Sequence, residues 1–231
     1  MGRKVLVVDL DPQGNATAGL GIDRYSHDVT MYEVLFDGRS MADSVLESDS
    51  GVFVSPSSLD LLAAETHMTG KINSTAMLRT SLEEVRGLFD HILIDVPPAS
   101  TLLMMNGIVA AENIIVPLDS GVFAFETMET LKTLVIDLQE ELGIETNVMM
   151  MLLRECSPSV FDKGPTREIR GMLEDYVRRN ISSPVRIFTV PFSARVYRSQ
   201  MRGMPLSHIA PFSGIARIYK RIAKTIIETR Q

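Results

Sequence analysis

Short apolar runs alternate along the chain with stretches of helical periodicity. The runs Lys4–Asp9, Val52–Ser55, His91–Asp95, Asn113–Pro117, Thr146–Leu152 and Val185–Phe188 are nearly continuous in Val, Ile, Leu and Met. Such runs predict strands buried on both faces, as in a parallel sheet. Helical patterns lie between them at Thr30–Phe36, Leu59–His67, Ala76–Leu88, Thr101–Ala111, Ala124–Leu142, Thr166–Arg179 and Phe212–Thr229. Gly143 follows the fifth of these as a C-terminal cap. Strands alternating with helices predict an α/β fold, a mainly parallel sheet with helices on both faces. No internal repeat, low-complexity tract or linker interrupts the 231 residues, which read as one domain.

Composition narrows the function classes. The apolar fraction of 45% and charged fraction of 23% fit a globular protein. The single cysteine, Cys156, excludes an intrachain disulfide framework and points to a reducing cytoplasm. No apolar run approaches the roughly 20 residues of a membrane helix, and no leader pattern stands at the N-terminus. Four scattered histidines and one cysteine make no metal-ligand spacing. The net charge of −6 conceals an asymmetry. Residues 1–153 carry 8 Lys and Arg against 23 Asp and Glu, while residues 154–231 carry 15 against 6. The basic part suits contact with a polyanion, or solvated helix faces that are basic.

Candidate chemistry sits where strands end, since ligands of open α/β sheets bind at the carboxyl ends of strands. The first strand leads into Asp9 and Asp11, and the third into Asp95 followed by Pro97 and Pro98. An apolar strand ending in Asp is how nucleoside triphosphatases hold Mg²⁺ through its waters. Taken singly, each Asp also reads as a cap or turn residue.

The flanks are more specific. "VLVVDLDPQGNATAGLG", then "FDHILIDVPPAS", then "NIIVPLDSGVFAFETMETL", resemble the ParA/MinD group of P-loop ATPases, the ParA branch most closely. "IFTVPFSARVYRSQMRGMPL" and "PFSGIARIYKRIAKTII" extend the resemblance over nearly the whole chain, less diagnostically. The resemblance implies a cytoplasmic, dimeric ATPase of chromosome or plasmid partitioning or cargo positioning. ATP would close the dimer, hydrolysis would release it, and a ParB-like protein would stimulate it. In this pattern Asp11 orients the attacking water and Asp9 supports the Mg²⁺ and phosphate side. Pro12, Gln13, Gly14 and Asn15 form a loop that responds to the γ-phosphate. Asp95 holds Mg²⁺ through water, Pro97 to Thr101 form a second switch, and Pro191 and Phe192 border the nucleotide.

The family's phosphate grip, a Gly-rich loop with two lysines, occurs nowhere in the sequence. The one Gly-Lys pair, Gly70-Lys71, has Glu65 and Ile72 at the positions that must be Gly and Ser/Thr. Lys4, at the wrong end of its strand, is no substitute. The resemblance puts that loop, with the family's first strand and first helix, before Gly2. That strand would pair beside His91–Asp95, so its absence would leave backbone groups there unpaired. For the 231 residues alone the expectation is weak ATP binding. Other departures are Met151 and Arg154 near the base, and Phe192, Ser193 and Arg198 in the segment after Pro191, where Arg195, Gly203 and Pro205 match. Met149–Met151 reads as core filler.

Arg195, Arg198 and Arg202 recur at helical spacing and would share a face. The resemblance makes them candidates for non-specific DNA binding, the alternative being a solvated face. Ile215, Ile218, Ile222, Ile226 and Ile227 form one stripe of the last helix, with Arg217, Lys220, Arg221 and Lys224 off it. That helix reads as packed on the sheet rather than as a membrane tether of the MinD kind. Lone Cys156 excludes the family's iron–sulfur branch. The alternatives to a partitioning ATPase are a non-hydrolysing scaffold of the same fold and a MinD-like membrane-associated ATPase.

Overall fold

The structure, a computed structural model, describes residues 2–63, 66–67, 73–98, 101–121, 124–155, 164–181 and 183–229. These divide into two compact units, residues 1–111 with 196–209, and residues 112–195 with 210–231.

The first unit is built on a four-stranded sheet of order β2-β3-β1-β4. Its strands are β1 (Val5–Asp9), β2 (Leu46–Glu47), β3 (Phe53–Ser55) and β4 (His91–Asp95). β1 pairs in parallel with β3 on one side and β4 on the other, and only the short β2 runs antiparallel. Central β1 is the hydrophobic axis, with Leu6 and Val8 fully buried. Among the described residues β4 pairs with β1 alone, and its Leu93 is exposed. The expected burial on both faces is incomplete in both strands: Val5 and Val7 of β1 are half-buried, and Leu93 of β4 is exposed.

Helices α1 (Asn15–Gly19), α2 (Met31–Phe36), α3 (Met77–Leu82) and α4 (Thr101–Ala110) complete this part. Thr30 and Glu33 form a reciprocal capping box that starts α2. The helix expected over Ala76–Leu88 instead stops at Leu82 and resumes as a short 3-10 turn at Arg86–Leu88. In the segment between them the exposed Glu84 carboxylate accepts from Ser40 Oγ (2.6 Å) and Met41 N (3.0 Å). Of the expected helix Leu59–His67, the described part is a 3-10 turn at Leu59–Ala63, and its continuation includes residues outside the described set. α4 lies close on β4: a Cβ at Gly107 would lie 3.6 Å from Ile94 Cγ2 and collide with Val96, just after the strand.

The second unit holds a parallel sheet of β5 (Asn113–Asp119), β6 (Asn147–Arg154) and β7 (Arg186–Val190), in that order. β5, β6 and β7 each run two residues beyond their expected ends, so Arg154 belongs to the ladder. Met150 and Met151 are fully buried core residues. Helix α5 (Ala124–Leu142) has the expected bounds, and Gly143 ends it at φ +63°. Helix α6 (Gly164–Asn180) follows β6. Helix α9 (Gly214–Thr229) buries Ile215, Ala216, Ile222 and Thr225, as a docked amphipathic helix should. Two short helices precede it in the chain, α7 (Ala194–Gln200) and α8 (Leu206–Ile209), of which residues 196–209 belong to the first unit.

Candidate functional site

The site grows from one register relationship. β1 and β4 pair so that Asp9 lies opposite Asp95, and the ladder continues with Leu10 N donating to Asp95 O at 2.9 Å. Two carboxylates thus end two adjacent parallel strands, and Asp11 follows two residues on.

Asp9 is fully buried and its oxygens are committed internally. Oδ2 accepts from Thr17 N (2.8 Å) and Thr17 Oγ1 (2.7 Å), and Oδ1 accepts from Asp11 N (3.1 Å). Burial raises its pKa, and these hydrogen bonds oppose the rise. Asp9 therefore ties α1 to the end of β1. Asp11 is half-buried, and its Oδ1 accepts from Gln13 N at 2.9 Å in an Asx turn. Its carbonyl accepts from Gly14 N (2.8 Å) and from Ser57 Oγ (2.5 Å). Gly14 takes φ +61°, a left-handed conformation natural to glycine, and ends the turn where α1 begins. Pro12 is buried, while Gln13 and Asn15 are exposed.

Asp95 is the carboxylate without such internal partners among the described residues. Desolvation first, then the charges of Asp9 and Asp11, push its pKa up to about 6. Three acids converge with no cation between them, a cluster that a divalent ion would relieve. Among the described residues no group of three His, Cys, Asp or Glu is placed to ligate a metal directly. Mg²⁺ fits this donor set as a hydrated ion that keeps its waters, with Asp95 and Asp11 the carboxylates open to it. Pro97 is buried directly after β4, and the rest of the expected second switch, 99–100, lies outside the described residues.

Sequence reasoning missed Thr17, Ser57 and Arg24. Thr17 is fully buried and accepts from Ser57 N at 3.2 Å, and Ser57 is 40 residues away in sequence. Arg24 Nη1 donates to the Gln13 carbonyl. The alternating apolar pattern carries no signal for these side-chain bonds, because polar loop residues have no period.

The remaining expected residues fall elsewhere. Lys4 is at the amino end of β1, its Nζ 4.9 Å from the centroids of both Phe53 and Phe89, away from the acids as expected. Pro191 and the exposed Phe192 follow β7 in the second unit. In that unit Arg154 forks onto Asp119 at 2.7 and 3.1 Å, joining the carboxyl ends of β6 and β5. Arg195 and Arg198 lie on α7 and Arg202 in the turn after it, and all three are exposed. No described helix is long and apolar enough to cross a membrane.

Comparison with known proteins places this geometry. The chain is 28% identical to the sporulation initiation inhibitor protein Soj of Bacillus subtilis over 98% of its own length and 87% of that protein's. It is 29% identical to the chromosome partitioning protein ParA of Caulobacter vibrioides, over 98% and 83% of the two chains. Among solved structures, cobyrinic acid a,c-diamide synthase of Mycobacterium smegmatis, bound to ADP and magnesium, superposes with a TM-score of 0.72 at 27% identity, over 87% of this chain and 80% of that one. The family AAA_31, an AAA domain, matches residues 1–150. The two strand-end aspartates, the glycine turn between Asp11 and α1, and these matches agree that the chain belongs to the AAA_31 family and, with Soj and ParA, to the ParA/MinD group of P-loop ATPases.

Proposed function

We propose that residues 1–231 form one nucleotide-binding domain of a partitioning ATPase, which works in the cytoplasm as an ATP-closed dimer on DNA. The observation that carries the reading is the pairing of Asp9 with Asp95 across β1 and β4, with Asp11 held by its own turn beside them. The names of the relatives, a chromosome partitioning protein among them, support the same assignment. In this reading Asp11 accepts a hydrogen bond from the attacking water and aligns it with the γ-phosphate. Asp95 holds the waters of a Mg²⁺ ion, and Asp9 keeps the loop in place through Thr17. The ion would neutralise charge on the phosphate oxygens. Water adds to the γ-phosphorus, the bond to the β-phosphate oxygen breaks, and ADP and phosphate leave.

DNA contact is assigned to the basic part of the chain, residues 154–231. Arg195, Arg198 and Arg202 are exposed there, as are Arg217, Lys220 and Arg221 on α9. Phosphate contacts of this kind give sequence-independent binding that weakens steeply with salt. A ParB-like protein that stimulates hydrolysis is the expected partner. The burial of Ile215 and Ile222 favours a docked last helix over a membrane tether.

The test is Mg²⁺-dependent ATP hydrolysis by the protein with DNA present, at ATP concentrations high enough to offset the weak binding expected without the phosphate-binding loop; no hydrolysis favours the non-hydrolysing scaffold instead. Asp11→Ala should lose about a hundredfold or more in rate, since the alignment of water and the turn bond from Gln13 N are both removed. Affinity for ATP should change little. Undiminished hydrolysis in Asp11→Ala overturns the assignment. Binding to duplex DNA should fall steeply between low and moderate salt, and a flat response removes DNA from the reading.

A further inference from the structure

The loop that carries Asp11 is held from two sides. On the buried side Ser57 Oγ donates to the carbonyl of Asp11. On the other side Arg24 Nη1 donates to the carbonyl of Gln13, two residues on. The Arg24 stem also covers Gly14: a Cβ there would meet Arg24 Cδ at 2.7 Å and Cγ at 3.2 Å. The side chain therefore occupies the space that glycine leaves open at φ +61°, the residue on which the turn into α1 depends.

Arg24 is itself fixed. Asp23 Oδ1 accepts from Tyr25 N at 3.1 Å, an Asx turn centred on Arg24. The guanidinium stands 5.4 Å from the centroid of the Tyr25 ring. Just before this turn, Gly21 touches Gly203 backbone to backbone, with a Cβ at Gly21 only 2.8 Å from Gly203 O. The arginine thus projects from an anchored turn onto a loop whose Gln13 is exposed. Beside this contact lies a pocket lined by Pro12, Gly14, Arg24, Tyr25 and Ser58, and the buried Ser58 hydroxyl has no partner among the described residues.

We infer that Arg24 is a positioning residue: acting through the Gln13 carbonyl and the Gly14 turn, it latches the Pro12–Gly14 loop and so fixes where Asp11 stands. The inference rests on reading this loop as the hydrolytic switch. Arg24 touches neither Asp11 nor Asp95 through any described hydrogen bond, so its influence passes through the backbone of the loop. Cutting the Gln13 bond while keeping the stem separates the donor from the packing.

The experiment compares the full-length protein with Arg24→Met, which keeps the stem and deletes the donor, and Arg24→Lys, which restores a donor. The first readout is amide hydrogen exchange of residues 13–18 without nucleotide. It should quicken about tenfold in Arg24→Met, as expected when a loop loses one of its two tethers. It should return most of the way in Arg24→Lys, while exchange in β1 and β6 stays unchanged. Unchanged exchange in Arg24→Met overturns the latch, and so does acceleration spread through both sheets. The second readout is ATP hydrolysis, which should fall in kcat with KM for ATP unchanged in Arg24→Met and recover in Arg24→Lys. A rise in KM with kcat unchanged overturns positioning. If the wild-type protein hydrolyses no ATP while the exchange behaves as expected, the hydrolytic reading fails and the latch stands.

Discussion

Asp9 and Asp95 are register partners at the carboxyl ends of adjacent parallel strands, yet only Asp9 is satisfied from within. Asp95 is exposed, yet desolvation and the charges of Asp9 and Asp11 push its pKa up to about 6. A carboxyl group whose folded pKa exceeds its unfolded value stabilises the fold at low pH, and that contribution is lost as pH rises through the folded value. The Asp95 contribution is thus fully present below about pH 4 and gone above about pH 6. Asp95→Asn should be more stable than wild type at pH 7, by about 1 kcal/mol once the exposure of the residue is discounted. The two should converge at pH 4, as denaturant titrations at both pH values would show. Equal stabilities at pH 7 would contradict the electrostatic account. Carbon-13 titration of the Asp95 carboxyl should also move to lower pH when MgCl₂ is added, because the cation favours the charged form.

The Thr17 hydroxyl donates to Asp9 and accepts from Ser57 N, with every group buried. Thr17→Val keeps the shape and removes both bonds. It should cost about 1–3 kcal/mol, since a buried carboxylate and a buried amide are left short of partners. At this chain length that is a melting temperature lower by about 2–4 °C per kcal/mol. Thr17→Ser should restore most of the loss, and a Thr17→Val protein that melts with the wild type would show that Asp9 does not depend on this bond.

Gly21 and Gly203 approach so closely that a Cβ on either would lie within 3 Å of the other's backbone, and both have positive φ. Gly38 also has positive φ, at +69°, but open space around it. Gly38→Ala should therefore lose only the conformational strain of about 1 kcal/mol. Gly21→Ala and Gly203→Ala should lose more, and the excess measures the contact. Thermal melts of the three variants check this, with equal losses counting against the contact.

Lys4 is exposed at the amino end of β1, between the rings of Phe53 and Phe89. Lys4→Ala should cost at most about 1 kcal/mol of stability, the scale of an exposed cation–π contact. It should leave ATP affinity and hydrolysis unchanged, because the acids are at the opposite end of the strand. A tenfold loss of ATP affinity would place this lysine in the nucleotide site after all.

The sequence by itself determined the layered α/β order, the parallel strands and the family, but not the short antiparallel β2 at Leu46–Glu47. Continuous apolar runs carry their own signature of burial, and two such runs that each end in Asp, with the flanks they carry, single out the pair. It located Asp9, Asp11 and Asp95 for that reason, and it marked α5 to its last residue because a strong amphipathic pattern ends on Gly143. Only the tertiary structure decided that Asp9 is spent on Thr17 and that the helix expected over Ala76–Leu88 stops at Leu82. It also decided that Ser57 and Arg24 grip the loop from two sides. Local pattern reports which residues seek burial. Which polar atom meets which, across 46 residues for Ser57 and Asp11, depends on how the chain closes on itself.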